Sequence, residues 1–272
     1  MNDALPPQPA IDGATRLLGI IGDPIEQVKS PLVFNPRFKA AGKNAVLVPL
    51  HVRTDVFEPT LRGLMALGNL DGLIVTVPYK ARALALVDEV LPTGRIVGAI
   101  NAMRREKDGR WTGDMFDGRG LVLGLSKEGI SIAARRVMLI GAGGAGSAVA
   151  VAFADAGAAA LTIHDIDAAK AESLATRLGE TYPACATRVG APQAAGHDVI
   201  VNATPIGMAK GEGLPAPIGP LEAAQLVIDV IAKPEVTPLL AEARARGCRT
   251  VGGKAMLDGQ VAELEKFFRI GG

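Results

Sequence analysis

The chain has 272 residues, 49% of them apolar and only 4% aromatic, with 29 basic against 28 acidic side chains. That length suffices for two domains or one large one, and the near-neutral charge argues against a nucleic-acid or anionic-membrane surface. No run of about 18 uncharged apolar residues that would span a bilayer is present. The two cysteines, Cys185 and Cys248, form no motif, which favours reduced, mostly buried thiols in a cytoplasmic protein over a disulfide.

Residues 1–15 are rich in proline and polar side chains and lack the pattern of a signal peptide, so we interpret them as a flexible lead-in. Beyond them, apolar segments typical of strands alternate with helical segments. In the first half we predict strands over residues 17–21, 45–49, 71–77, 98–103 and 111–114, and helices over 31–41, 56–67, 79–86 and 118–126. Asp55 is expected to cap the second helix, and Asp108-Gly109 to join the last two strands, both at the sheet edge, in a hairpin.

The second half of the chain repeats this alternation. We predict strands over residues 137–140, 161–163, 198–203, 226–231 and 250–251, and helices over 145–156, 168–178, 237–246 and 256–268. Gly247 follows the third of these helices as a natural C-terminal residue. Strands that alternate with helices in both halves indicate an α/β fold with mainly parallel sheets.

The most specific motif is the turn between the strand at 137–140 and the next helix, which carries Gly141, Gly143, Gly144 and Gly146. In the G-x-G-x-x-G pattern the first glycine permits a sharp turn, the second lets a pyrophosphate approach the backbone, and the third lets helix and strand pack closely. The helix N-terminus would attract the phosphates. Asp165 ends the next strand about twenty residues on, where dinucleotide-binding proteins carry an acid. We therefore favour dinucleotide binding over a glycine-rich turn in another α/β unit.

Seven short motifs occur in order: KSP at 29–31, VTVPYK at 75–80, GAIN at 98–101, the GD and DG of 113–118, GAGGAG at 141–146, NATPIGM at 202–208, and Met256, Leu257 and Gln260. With them the chain resembles the shikimate/quinate dehydrogenase family along nearly its whole length. The resemblance implies an N-terminal α/β substrate domain with a mainly parallel sheet (16–116 plus 253–272), a Rossmann-like NAD(P)-binding domain (117–252) and a site in the cleft between them. It also implies reversible NAD(P)-dependent oxidation of a ring hydroxyl on a cyclohexane or cyclohexene carboxylate.

Oxidation of an alcohol by hydride transfer needs a group that accepts the hydroxyl proton, while the nicotinamide supplies the redox chemistry. By resemblance, Lys80 is the acid/base and Asp117 its partner carboxylate. Lys80 also lies in the first turn of a predicted helix, an unfavourable place for a cation, which indicates a compensating reason for the lysine. The alternatives are a solvated surface lysine and, for Asp117, an N-cap of the following helix.

Four polar residues match the family's contacts to substrate hydroxyls or carboxylate: Ser30, Thr76, Asn101 and Gln260. Their alternatives are local turn bonds for Ser30 and Asn101, a strand-face hydroxyl for Thr76 and a solvated helix face for Gln260.

At four places an apolar residue replaces a polar one of the family pattern: Val28, Ile74, the pair Met115-Phe116, and Ala232. A buried polar group without its partner costs about 1–3 kcal/mol. We therefore expect the reaction type to be kept while the substrate changes toward a less polar or differently substituted ring acid. Weak activity on shikimate is the corresponding expectation.

The cofactor choice can be argued from charge. Asp165, Ile166 and Asp167 stand where NADP-preferring family members carry Asn-Arg-Thr. Ile166 cannot bind a 2′-phosphate, and Asp165 would repel one while accepting a bond from a free ribose hydroxyl, so we favour NAD. A turn-capping aspartate is the alternative, and NADP stays open through Lys170 or Arg188.

By resemblance, Asn202 and Thr204 line the cofactor path and Met208 lies near the nicotinamide, with Pro205 in place of the usual serine. The three histidines are scattered and indicate no metal. Together these features predict an NAD(P)-dependent dehydrogenase for a small hydroxy acid, a monomer or homodimer with no nucleic-acid or membrane partner. The alternatives are an ordinary shikimate/quinate dehydrogenase and a dinucleotide-binding sensor without turnover.

Overall fold

The computed structural model describes residues 10–270, and the chain divides into two compact units. The first comprises the described residues up to Met115 and from Leu264 onward, and the second comprises Phe116–Glu263. Of the predicted lead-in, residues 1–9 lie outside the described residues. Asn44 Nδ2 donates to the Asp12 carboxylate at 2.9 Å, and the Thr15 hydroxyl donates to Asn44 Oδ1 at 2.8 Å. These two bonds attach residues 12–15 to the first unit.

A mixed sheet forms the first unit. Its strands within the described residues are β1 (Arg16–Gly22), β2 (Ala45–His51), β3 (Leu70–Val75), β4 (Glu89–Val90), β5 (Ala102–Arg105) and β6 (Trp111–Asp114), in the order β2-β1-β3-β5-β6-β4. β1 is parallel to β2 and β3, and β4 is parallel to β6, while β5 is antiparallel to both neighbours. The prediction of two edge strands is wrong, because the unexpected β4 pairs with β6 and makes both hairpin strands interior.

Four helices accompany this sheet within the described residues: α1 (Ser30–Ala40), α2 (Phe57–Met65), α3 (Lys80–Leu84) and α4 (Pro92–Val97). The predicted cap of α2 is wrong. Asp55 lies inside a single 3-10 turn, Thr54–Val56, and pairs with Arg53 at 3.2 Å, while Val56 occupies the cap position. The core of the unit gathers Phe57, Tyr79 and Trp111 with the apolar side chains of β3.

The second unit contains a fully parallel sheet. Its strands are β7 (Arg136–Ile140), β8 (Ala160–His164), β9 (Ala186–Val189), β10 (Val199–Asn202), β11 (Leu226–Asp229) and β12 (Arg249–Val251), in the order β12-β11-β10-β7-β8-β9. This is the 3-2-1-4-5-6 order of dinucleotide-binding folds, and the order reverses between β7 and β10. The loops that follow β7 and β10 therefore flank the point where such sheets bind ligands.

The helices of the second unit are α5 (Asp117–Lys127), α6 (Gly144–Asp155), α7 (Ala168–Thr181), α8 (Pro238–Ala245) and α9 (Lys254–Phe267), whose last four residues group with the first unit. Glycines let α5 approach two neighbours closely. A β-carbon on Gly118 would overlap the carbonyl oxygen of Ala148 in α6, and one on Gly259 in α9 would overlap the carbonyl oxygen of Gly120.

The observed elements confirm the predicted α/β class with two mainly parallel sheets. Residues 253–263 were expected with the substrate domain, whereas packing groups most of α9 with the second unit. Cys185 and Cys248 are free and buried. Between residues 10 and 270, no helix is long and apolar enough to cross a membrane.

Candidate active site

Lys80 begins α3, shortly after the carboxyl end of β3. The preceding side chain, Tyr79, is fully buried, stacks on Phe57 with ring centroids 3.9 Å apart, and donates its hydroxyl to the carbonyl oxygen of Val52. On the other side, the Ile100 amide donates to the Lys80 carbonyl oxygen at 3.0 Å. The backbone of Lys80 is thus fixed at both sides while its side chain stays half-buried.

Thr76 and Asn101 lie at the same edge of the sheet. Because β5 runs antiparallel to β3, the residues before β5 meet the carboxyl end of β3. The Val75 amide donates to the Asn101 carbonyl oxygen at 2.7 Å, and the Asn101 amide donates to the Asp114 carbonyl oxygen at 3.0 Å. Residues 98–101 are therefore a connecting segment, and the prediction that a strand begins at residue 98 is wrong. The structure brings Thr76, Lys80 and Asn101 together.

Ser30 is the first residue of α1 and is half-buried. The segment that leads to it from β1 contacts the segment after β3, because the Asp23 amide donates to the Val77 carbonyl oxygen at 3.1 Å. The segment between β1 and α1 therefore starts beside Thr76, at the carboxyl end of β3, and ends at Ser30.

Asp117 and Gln260 are brought together within the second unit. Asp117 is the first residue of α5 and 3% exposed, and Gln260 on α9 is 7% exposed. A β-carbon added to Gly120, one turn after Asp117, would lie 2.6 Å from Gln260 Cβ, so the two helices touch beside both polar residues. Two alternatives are excluded: Gln260 is not on a solvated face, and Phe116 rather than Asp117 occupies the N-cap position.

The glycine-rich loop joins β7 to α6 at the point where the strand order reverses. Gly141 has φ +102°, and its amide donates to the His164 carbonyl oxygen at 2.8 Å. A β-carbon on Gly146 would overlap the carbonyl oxygen of Gly141, so these two glycines are required by the fold. Gly143 differs: its φ of −71° suits any residue, and an added β-carbon would meet nothing within 4 Å. The open space above Gly143 fits a ligand that approaches the backbone before Gly144 starts the helix.

Asp165 lies beside this loop. Its carboxylate accepts hydrogen bonds from the Ala142 amide at 2.7 Å and from the Asp167 amide at 2.9 Å. Asp165 therefore caps the loop, as one alternative held, and each oxygen keeps a lone pair for a further donor. The adjacent Ile166 is 100% exposed. Of the two candidate phosphate ligands, Lys170 pairs with Asp167 at 3.4 Å, and Arg188 donates to the Thr162 hydroxyl at 3.1 Å.

The loop after β10 is held by Asn202 and Glu212. Asn202 is fully buried, and its side-chain oxygen accepts from the Thr204 amide at 3.0 Å and the Thr204 hydroxyl at 2.8 Å. Glu212 accepts from the amides of Ala209 and Gly207, and these bonds hold the pKa of Glu212 below its usual value. Met208 is 57% exposed on this loop.

Two buried polar residues were missed from the sequence, Asp229 at the end of β11 and Thr237 just before α8. Burial raises the pKa of Asp229, while hydrogen bonds from Thr237, Ile231 and Asn202 act in the opposite direction. The only signal was one acid inside the apolar segment LVIDVI, which suggested a strand and nothing more.

The apolar replacements do not share one environment. Ile74, Met115 and Phe116 are buried, Val28 is half-buried, and Ala232 is exposed. Ile74 pairs with Ile20 on one side and Ala102 on the other, so it contributes to the interior of the first sheet.

The chain matches two family models. The shikimate dehydrogenase substrate binding domain matches residues 20–103, and the shikimate / quinate 5-dehydrogenase model matches residues 124–209. The shikimate dehydrogenase (NADP(+)) of Rubrobacter xylanophilus is 40% identical over 265 residues, which cover 95% of this chain and 92% of that protein.

Solved structures are also similar to this chain over most of its length. The shikimate 5-dehydrogenase of Listeria monocytogenes, in complex with shikimate and NAD, has a TM-score of 0.85 and 29% identity over 97% of this chain and 93% of its own. The ligand-free 5-ketofructose reductase of Gluconobacter sp. strain CHM43 has a TM-score of 0.79 and 30% identity over 93% and 92% of the two chains.

Proposed function

The chain belongs to the shikimate/quinate dehydrogenase family of NAD(P)-dependent oxidoreductases, and on that premise we propose that it oxidises and reduces a ring hydroxyl of a shikimate- or quinate-like acid through Lys80. The setting of Lys80 carries this proposal. Its backbone is fixed by buried Tyr79 and by Ile100, and two polar residues, Thr76 and Asn101, lie at the same edge. A general acid/base needs such a rigid support, because proton transfer depends on position.

In this proposal Lys80 is the acid/base and Asp117 is the carboxylate that binds the substrate. During oxidation the neutral amine of Lys80 accepts the hydroxyl proton, and during reduction the ammonium returns it. The Asp117 carboxylate accepts a hydrogen bond from the substrate and orients it. Ser30, Thr76, Asn101 and Gln260 bind the other hydroxyls and the carboxylate of the ring. A sensor would have no use for the pair of Lys80 and Asp117.

We assign the dinucleotide to the loops around β7, β8 and β10. The nicotinamide, when bound, supplies the hydride acceptor or donor. Gly141, Gly143, Gly144 and Gly146 would hold the pyrophosphate against the start of α6, while Thr204 and Met208 would form the opposite wall. Asn202, which was predicted to line the cofactor path, is fully buried and instead holds the loop that carries Thr204. Asp165 and the uncharged, exposed Ile166 support NAD over NADP, because a carboxylate repels a 2′-phosphate. The Rubrobacter relative is named for NADP, so the preference for NAD is the part of the proposal in which this chain would differ from that relative.

The substrate is proposed to differ from shikimate in its polar groups. A substrate hydroxyl or carboxylate that meets an apolar side chain in place of a hydrogen-bond partner binds about 1–3 kcal/mol more weakly, so two such replacements would weaken shikimate binding strongly. The Gluconobacter neighbour is named for 5-ketofructose, a keto sugar, and supports the idea that the fold accepts other hydroxyl-bearing substrates.

The test is a set of initial rates with NAD and NADP in turn against shikimate, quinate, related ring hydroxy acids and reduced sugars. Turnover of another ring compound with weak activity on shikimate supports altered specificity. Rapid oxidation of shikimate or quinate would show an ordinary member of the family. No turnover together with retained NADH binding would favour the sensor. Light scattering on the same preparation distinguishes a monomer from a homodimer.

A further inference from the structure

Among the described residues, Asp229 is the most deeply buried carboxylate near the glycine-rich loop after β7, and 0% of its surface is exposed. It ends β11 and accepts hydrogen bonds from the segment after β11 and from the end of β10. The Thr237 hydroxyl donates at 2.7 Å and the Ile231 amide at 3.0 Å, both from the segment between β11 and α8. Asn202 Nδ2, at the end of the neighbouring β10, lies 3.2 and 3.1 Å from the two carboxylate oxygens.

Asn202 extends these bonds into the loop at 203–208. Its side-chain nitrogen also donates to the Ile206 carbonyl oxygen at 3.1 Å, and its oxygen accepts from Thr204. The two loops also pack on each other, because a β-carbon on Gly207 would lie 3.5 Å from atoms of Ile231 and Thr237. Asp229 therefore joins the loop after β10 to the loop after β11.

The network requires a carboxylate at position 229. Both oxygens of Asp229 face donors, and Asn202 Nδ2 faces both at once. An amide at 229 would direct its NH2 group at a donor in either orientation. An apolar side chain at 229 would leave the Thr237 hydroxyl, the Ile231 amide and Asn202 Nδ2 without their acceptor. The Asp229 side chain therefore fixes the segment after β11 and the end of β10 relative to each other.

We propose that Asp229 is a positioning residue for the cofactor, which holds the 203–208 loop in its binding shape through Asn202 and Thr237. This proposal rests on the proposed function, since it needs a dinucleotide at the edge formed by β7 and β10. The loop exposes the apolar side chains of Ile206 and Met208 beside this edge. A loop that is fixed in advance loses less conformational entropy when the ligand binds, and so binds it more tightly.

The test compares Asp229→Asn and Thr237→Val with two references. Thr237→Ser keeps the donating hydroxyl and is expected to rescue, and Thr176→Val removes a hydroxyl of α7 outside the network. NADH affinity is measured by the fluorescence of the bound nucleotide, and KM for cofactor and for substrate by initial rates. We expect Kd and KM for the cofactor to rise about tenfold in Asp229→Asn and Thr237→Val, with substrate KM little changed.

Unchanged cofactor Kd in folded Asp229→Asn or Thr237→Val protein would overturn the proposal, as would equal losses in Thr176→Val. A purely structural role would lower the melting temperature and the active fraction while leaving KM alone. Thr237→Val removes one donor to Asp229 and the N-cap bond that the Thr237 hydroxyl accepts from the Leu240 amide at 3.3 Å. It leaves the buried carboxylate in place, so it provides the test if Asp229→Asn does not fold, and Thr237→Ser controls for both bonds. The NADH measurement needs no turnover: weaker binding in the variants supports the positioning role even if the panel of substrates fails. Absence of NADH and NADPH binding to the wild type would overturn both proposals.

Discussion

Lys80 is the first residue of α3, a helix of five residues. At this position the positive end of the helix dipole disfavours a cation. We predict that Lys80→Met lowers kcat by about 10²–10⁴-fold, because the proposed proton acceptor is removed. Folding stability should stay the same or rise slightly, since methionine fills a similar volume without charge. Rates, NADH fluorescence and thermal unfolding measure the three effects.

Lys107→Met serves as the control for that experiment, because Lys107 is an exposed lysine of the β5–β6 hairpin. It should leave kcat unchanged. A Lys80→Met enzyme with near wild-type kcat would remove Lys80 from the mechanism. A loss of NADH binding in Lys80→Met would indicate a folding or cofactor effect instead.

Asp165 allows a separate test of cofactor choice. We predict that Asp165→Ala shifts the ratio of kcat/KM between NAD and NADP about tenfold toward NADP, since removal of a nearby like charge is worth on the order of 1 kcal/mol or more. NAD itself should bind more weakly, because the loop also loses the hydrogen bond that the Ala142 amide donates to Asp165. Asp108→Asn, a surface change in the first unit, should leave the ratio unchanged. An unaltered ratio in Asp165→Ala would mean that other groups choose the cofactor.

Single residues were predictable from sequence when their motif was local. Gly141 and Gly146 belong to one short turn. In the structure Gly141 makes the sharp turn with a positive φ, and Gly146 permits a close backbone contact, as predicted. Asp229 was not predictable, because its partner Asn202 lies 27 residues away in sequence and meets it only when β10 and β11 pair. The burial of Gln260 was likewise not predictable from local sequence, because it depends on how closely α5 approaches α9.

At the scale of elements, the contact between α5 and α9 leaves no room for a side chain at Gly120, Gly124 or Gly259. We predict that Gly259→Ala destabilises the protein by about 1–3 kcal/mol, because the added methyl overlaps the Gly120 carbonyl oxygen and forces the helices apart. Since Asp117 and Gln260 sit on these helices, kcat/KM should also fall. Urea unfolding and initial rates measure the two effects.

Gly63→Ala is the matched control for this helix experiment. Gly63 lies inside α2, and an added β-carbon meets nothing within 4 Å. The same substitution should therefore stabilise the protein by about 0.5–1 kcal/mol through helix propensity. A neutral Gly259→Ala variant would show that the two helices can separate without cost.

The elements that escaped prediction share a physical cause. β4 has two residues, α4 has six including Pro92 and Gly94, and both depend on tertiary bonds such as that from the Gly94 amide to the Asp114 carboxylate at 2.7 Å. β9, Ala186–Val189, is mostly exposed and shows neither an apolar run nor clean alternation. Long apolar strands and amphipathic helices, by comparison, carry their pattern in their own residues, and these were predicted correctly.

At the scale of the whole molecule, the sequence indicated the alternation of strands and helices but could not give the strand order. The order β12-β11-β10-β7-β8-β9 places the ends of β7 and β10 side by side, although about sixty residues separate them in the chain, a span that local patterns do not reach. Likewise, the grouping of α9 with the second unit follows from the close approach of glycines on distant helices.

The residues proposed to bind the cofactor, such as Gly143, Asp165 and Thr204, all belong to the second unit, so a ligand that binds them should stabilise that unit against heat. At a hundredfold excess over its Kd, NADH adds about 2.7 kcal/mol to the free energy of unfolding. For a unit of this size, that corresponds to a rise of about 5–10 °C in the melting temperature. Differential scanning calorimetry measures it directly. At the same concentration NADPH should raise the melting temperature less, because in the proposed role Asp165 opposes the 2′-phosphate. An equal or larger shift with NADPH would contradict the assigned role of Asp165, and the Asp165→Ala variant should bring the two shifts together.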